Sequence, residues 1–207
     1  CLAVLLPGRL NAPEKFAEAG FASAVATRDL ALDLVAVDAH LGYYRDRSVV
    51  ERLRLDVVEP ARAAGYDTIW LVGSSLGGIG GLLYLKHYPE DLAGVFVLAP
   101  YLGPEEAIDE IAAAGGPARW RPPNRVDDDD VGRELWSWLA PWLAGEQKVP
   151  LHLGWGTADS FDRSNRLLAS ALPPERVYTH PGGHDWQVWE SLWEAFLDRV
   201  EPCRRQR

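Results

Sequence analysis

Residues 68–88 join an apolar run, Thr68-Ile69-Trp70-Leu71-Val72, to Gly73-Ser74-Ser75-Leu76-Gly77 and then to a glycine-rich, apolar stretch ending at Tyr88. A Gly-x-Ser-x-Gly segment in that setting calls for a strand that turns sharply into a helix. The central serine sits on a strained turn, and a Cβ two residues to either side would strike the adjoining strand and helix. The junction makes Ser75 the candidate nucleophile.

The rest of the chain repeats the alternation that such a junction belongs to. Apolar runs of four to eight residues near 2–6, 32–38, 68–73, 93–99, 149–155 and 176–180 alternate with helical patterns near 13–24, 49–64, 76–88, 131–143, 163–171 and 187–200. That order predicts an α/β fold, a parallel sheet of about six strands with crossover helices. Pro60 is expected to kink or split the second helix. Gly77, Gly78, Gly80 and Gly81 open the third, where each glycine costs up to ~1 kcal/mol against alanine, so close packing on the sheet is the expected compensation. With 207 residues, the chain is read as one domain, 1–207.

Two later segments supply the partners a serine needs. The run Val149-Pro150-Leu151-His152-Leu153-Gly154-Trp155 leads through Gly156-Thr157-Ala158 to Asp159, at a strand's carboxyl end, and Arg176 to His180 leads through Pro181-Gly182-Gly183 to His184. A serine hydroxyl is a weak nucleophile near neutral pH and needs a base within hydrogen-bond reach. His184 is that candidate base, and Asp159 the carboxylate that would fix its tautomer. Asp162 is the competing acid, ranked second because Asp159 directly follows the strand. His180 is the rival base, and Asp185, adjacent to His184, is assigned a local loop hydrogen bond.

In its order Ser75, Asp159, His184 the chain resembles the α/β-hydrolase superfamily over nearly its whole length. The Gly-Ser-Ser-Leu-Gly-Gly and Gly-Gly-His-Asp-Trp segments are similar to the branch that holds the esterase D, enterochelin esterase and mycolyltransferase proteins. The resemblance implies hydrolysis or transfer of an acyl group with no cofactor. It also implies a minimal core whose first strand matches the third of the usual eight. An oxyanion hole is implied too, with the N–H of Leu76 as one donor and the loop Pro7-Gly8-Arg9-Leu10 carrying the other, either Arg9 N–H or, second, Gly8 N–H. The family often has His-Gly where this chain has Pro7-Gly8. Three readings follow: a serine hydrolase of small-molecule acyl esters, a thioesterase or acyltransferase on the same triad, and a non-catalytic binding protein of the same fold.

Residues 101–148 are the least regular stretch and sit where this fold commonly inserts a lid. Trp136, Trp138 and Trp142 in it either wall an acyl pocket or pack the insertion onto the body, the second being preferred. The run Asp127-Asp128-Asp129-Asp130 lacks the alternation and turn glycine of an EF-hand loop, so a solvated turn capping the next helix is expected, and no metal. Gly8, His40, Tyr43, Trp155 and Trp186 are candidate pocket residues because loops at strand carboxyl ends carry the ligand site in such sheets.

The net charge of -9 argues against a nucleic-acid or anionic-membrane partner. No apolar run nears the ~20 residues of a membrane span, so a soluble, cytoplasmic protein is the default. The dinucleotide fingerprint and the phosphate-binding loop with its lysine are both missing. Cys1 and Cys203 are expected to be two unrelated thiols. The sequence has no methionine, so position 1 is not expected to be the translated start and a removed signal segment stays open.

Overall fold

In the computed structural model, which describes residues 1–127 and 130–203, six parallel strands form one sheet in the order β2-β1-β3-β4-β5-β6. The strands are β1 Leu2–Leu6, β2 Asp33–Ala36, β3 Ile69–Ser74, β4 Gly94–Leu98, β5 Leu151–Gly156 and β6 Val177–His180. Every residue of β1, β3, β4 and β5 is buried, whereas the edge strands β2 and β6 are mixed. That is why the inner four read as unbroken apolar runs: helices cover both faces of a parallel sheet, and no polar face is left to alternate. Leu6 pairs with Gly73, Gly73 with Val97, Leu98 with Gly154 and Gly156 with His180, so the carboxyl ends of β1 and β3 to β6 finish along one edge.

Between β1 and β2 lie α1, Glu14–Glu18, and α2, Phe21–Ala26. The expected single helix over 13–24 is broken at Gly20, whose φ of 80° is left-handed and stops α1. After β2 come α3, Leu41–Arg45, then α4, Val49–Leu53, a π-helical turn over Arg54–Val58, and α5, Glu59–Ala63. The split falls beside Pro60, which has no N–H to offer the carbonyl of Asp56. The elbow helix α6, Leu76–His87, follows β3, and α7, Glu105–Ala113, and α8, Val131–Ala144, follow β4. The last two helices are α9, Asp162–Ala169, and α10, Trp186–Val200. The sequence pattern gave no sign of α3 or α7.

Within 101–148, Trp136 is fully buried and its indole N–H donates to the Leu102 carbonyl at 2.9 Å, while Trp138 and Trp142 pack against the core from its rim. Asp130 caps α8 by accepting from Arg133 N at 3.0 Å; Asp128 and Asp129 lie outside the described residues. On the other face, α10 lays Trp193 and Phe196, both fully buried, onto the sheet, with Phe196 stacked on Phe96 at 4.5 Å and Trp193 on Phe21 at 5.3 Å. Each such ring contributes about 2–3 kcal/mol of burial.

The cysteines are not separate thiols: Cys1 and Cys203 form a disulfide, with Cα atoms 6.1 Å apart. The two ends meet because both lie against the start of β2, where Asp33 N donates to the Cys1 carbonyl and Ala31 N to that of Cys203, each at 3.0 Å. Closing so long a loop removes much of the unfolded chain's freedom. Reduction, or Cys203→Ser, is expected to lower unfolding free energy by about 3–5 kcal/mol, measured by urea denaturation with and without reductant; equal midpoints would contradict the pairing.

His152, on β5, is packed among Trp70, Tyr178 and Phe196, and burial, aided by the Arg176 and Arg199 charges, holds its imidazole down at about 4. In the unfolded chain it titrates near ~6.5. Between those values the unfolded chain binds a proton that the folded one refuses, so stability is lost as pH falls from about 6.5 to about 4 and no further below. His152→Phe is therefore expected to flatten the pH dependence in that window by up to ~1.4 kcal/mol per pH unit. Urea titrations of both proteins at several pH values check it; parallel curves would contradict it.

Candidate active site

Ser75 takes φ 51° and ψ −111° at the end of β3, a conformation that costs a non-glycine residue about 1–3 kcal/mol. Close backbone approach holds it there. A Cβ on Gly73 would lie 2.2 Å from the Gly77 carbonyl oxygen, and one on Gly77 would lie 2.1 Å from that of Leu6. Only glycine fits at either place. Gly80 has the same cause one turn later, since a Cβ there would press on the Tyr44 hydroxyl at 2.6 Å and on Leu6. Ser75 N donates to the Leu98 carbonyl at 2.8 Å, which ties the turn to the end of β4. As the first residue of α6, Leu76 has no intrahelical acceptor for its N–H.

Asp159 and His184 arrive on two loops laced together. Thr157 N donates to the His180 carbonyl at 2.9 Å and Ala158 N to that of Gly182 at 2.8 Å. The bare Cα of Gly156 lets the second loop close over the first, because a Cβ would stand 2.3 Å from the Gly182 oxygen. Asp159, its side chain fully buried, accepts from Phe161 N through Oδ1 at 2.7 Å and from His184 Nδ1 through Oδ2 at 2.8 Å. The carboxylate partner sets the tautomer: Nδ1 carries the proton, leaving Nε2 as the acceptor. Phe161 and Trp189 meet the His184 ring edge to face at 5.0 and 4.9 Å and hold its plane.

The contacts run on around a closed circuit that returns to Ser75. From Trp189 it passes to Trp186 at 5.0 Å, whose indole N–H donates to Asn11 Oδ1 at 3.0 Å. Asn11 Nδ2 and Ser75 Cβ flank Gly8, standing 3.0 and 3.4 Å from where a Cβ on that residue would sit. On the opposite side Phe161 meets Tyr101 at 5.5 Å, and Tyr101 N donates to the Ser75 carbonyl at 3.4 Å. Among the described residues no hydrogen bond joins Ser75 Oγ to His184.

Of the remaining sequence candidates, Gly8 and Trp186 belong to this circuit. Arg9 lies on the same loop, in a turn closed by Asn11 N donating to the Gly8 carbonyl at 3.1 Å, and its own N–H takes no part in that bond. His40 instead caps α3 by accepting from Gly42 N and stacks on Tyr43 at 4.4 Å. Tyr43 borders a separate cavity of about 150 Å³ beside Val37 and Leu53. Trp155 is buried within β5 with its indole N–H on Asp162 Oδ1 at 2.8 Å, and Arg166 takes the other oxygen of Asp162. Both oxygens of Asp162 are thus taken by Trp155 and Arg166, whereas His184 bonds Asp159. His180 Nδ1 bonds the Pro181 carbonyl at 2.7 Å, and Asp185 caps α10 through Val188 N at 3.0 Å. A cavity of about 420 Å³ between Tyr44, His87 and Glu134 is lined by neither Ser75 nor His184. Among the described residues no three His, Cys, Asp or Glu side chains converge as metal ligands, and no helix is long and apolar enough to cross a membrane.

Asn11, Tyr101 and Phe161 were missed in the sequence, although each follows a strand's carboxyl end, or Asp159 at one, which was the available signal.

Similar proteins share this architecture. The structure of S-formylglutathione hydrolase (FrmB) from Staphylococcus aureus superposes with a TM-score of 0.65 at 15% identity, covering 96% of this chain and 80% of that one. Est1E from Butyrivibrio proteoclasticus, with ferulic acid bound, gives 0.63 at 15%, covering 97% and 89%. The thioesterase domain from the curacin biosynthetic pathway gives 0.59 at 12%, covering 95% and 90%. At such identities the likeness establishes the fold alone, and no curated protein sequence matches the chain. A family model described as "Putative esterase" matches residues 55–200, from the π-helical turn to the end of α10 and so across Ser75, Asp159 and His184. The chain therefore belongs to that esterase family and has the α/β-hydrolase fold.

Proposed function

We propose that this protein hydrolyses carboxylic esters through an acyl-enzyme on Ser75, with His184 as proton carrier and Asp159 as its orienting carboxylate. The observation that carries the reading is the 2.8 Å bond from His184 Nδ1 to buried Asp159, on a loop whose aromatic contacts return to the strained Ser75 turn. With Nδ1 engaged, Nε2 is the free acceptor. The reaction needs Ser75 Oγ within hydrogen-bond reach of it, a contact that often tightens only when substrate is bound. Oγ attacks the ester carbonyl as its proton passes to Nε2; the carbonyl electrons move onto oxygen, facing the N–H groups of Leu76 and Arg9. The carbonyl then re-forms, the alkoxide leaves, and His184 returns the proton to it. Water repeats the cycle and frees the acid.

Tyr101, Phe161 and Trp186 give the surroundings aromatic walls, which suits small or medium acyl groups. Turnover of p-nitrophenyl esters from two to twelve acyl carbons is expected, with one optimum length, and Ser75→Ala is expected to abolish it without loss of fold. Full activity in that variant would contradict the reading. Asp159→Asn would present an N–H to His184 and favour the wrong tautomer, so kcat is expected to fall by about 10³–10⁴. Asp162→Asn is expected to stay within about threefold of the parent, since Asp162 serves Trp155 and Arg166. Steady-state kinetics on the pair decide the acid; a reversed order would assign Asp162.

A further inference from the structure

The Asn11 side chain has a role that neither the strand ends nor the elbow explains. It lies three residues after Gly8, and its only side-chain bond among the described residues is the one accepted by Oδ1 from the Trp186 indole, 175 positions away, at 3.0 Å. An indole N–H can only donate, so that bond decides which way the amide faces. Oδ1 must turn to Trp186, and the NH₂ group must turn the other way. There it stands 3.0 Å from the methyl-sized space above Gly8 that also touches Ser75 Cβ at 3.4 Å. Trp186 is itself held, edge to face, by Phe16 at 5.0 Å and Trp189 at 5.0 Å, so the anchor is fixed by packing. The result is a pre-oriented, half-buried donor with spare N–H capacity beside the proposed nucleophile, on the loop that also carries Arg9.

We propose that Asn11 donates a side-chain hydrogen bond to the substrate carbonyl oxygen as it becomes an oxyanion, adding a third donor to the N–H groups of Leu76 and Arg9. The inference rests on the ester-hydrolase reading above. A donor aimed at developing charge acts on the transition state more than on the bound ester, so its loss shows in kcat and leaves KM nearly unchanged.

Asn11→Ala and Asn11→Asp separate this role from a structural one. A carboxylate can still accept from Trp186 and so preserves the anchor, yet it offers negative charge in place of the N–H. The expected result is a fall in kcat of about 10²-fold for Asn11→Ala, a larger fall for Asn11→Asp, and KM within about threefold in both. A trifluoromethyl ketone, whose hemiketal on Ser75 carries the same oxyanion, should lose affinity for Asn11→Ala in parallel with kcat, whereas the matching methyl ketone should not. Asn11→Asp with kcat within about threefold of the parent would overturn the proposal, as would a loss for Asn11→Ala confined to KM. Thermal melts confirm that each variant is folded, and Asn11→Asp suffices if Asn11→Ala is not. Ser75→Ala run alongside distinguishes the failures. If Ser75→Ala is inactive while both Asn11 variants keep the parent kcat, this inference alone falls; if Ser75→Ala stays active, the reading of the site falls with it.

Discussion

The contact between Gly77 and the Leu6 carbonyl is the constraint around which the rest is arranged. It brings the start of the elbow helix against the end of β1, so that one short turn meets the loop that carries Gly8, Arg9 and Asn11. Were a side chain present at Gly77, the helix would have to move away from β1, and the Leu76 N–H and the loop that carries Gly8 would separate. Gly73 meets the same demand from within the turn. The unfavourable φ of Ser75 is borne by this packing, since the hydrogen bond from Ser75 N to Leu98 and the helix behind it admit no relaxed alternative.

A second assembly is built after β5 and β6, along the same carboxyl edge of the sheet, and is joined to the first by aromatic contacts. Two backbone hydrogen bonds and the bare Cα of Gly156 lock the Asp159 and His184 loops together before any charge is considered. The buried Asp159 carboxylate is then satisfied by one backbone N–H and one imidazole N–H, which a buried anion requires. Rings of Phe161, Trp189, Trp186 and Tyr101 carry that rigid pair toward the elbow. Positioning therefore comes from packing, and charge has only the tautomer to decide.

The sheet was legible in the sequence because four of its strands are buried on both faces and so contain almost nothing but apolar residues. The elbow was legible for a related reason: glycines at fixed spacing report a close approach that no other residue allows. What stayed hidden depended on contacts between distant positions. The break at Gly20 lies in a left-handed φ that hydrophobic periodicity does not register. The pairing of Cys1 with Cys203 follows from both termini reaching β2, and their 202-residue separation carries no hint of that. Asn11 is an ordinary loop residue until Trp186 is found against it. Conversely, His40 and Tyr43 follow the end of β2, yet His40 caps α3 and stacks on Tyr43 within it, and Tyr43 borders a separate cavity.

Whether Ser75 is the reactive serine is decided by the mass of the protein after reaction with a fluorophosphonate, followed by mapping of the modified peptide. One added phosphonyl group is expected, on Ser75 and no other serine, formed by the folded protein and lost on unfolding with urea before exposure. Labelling at a different serine, or none in the folded protein, would contradict it.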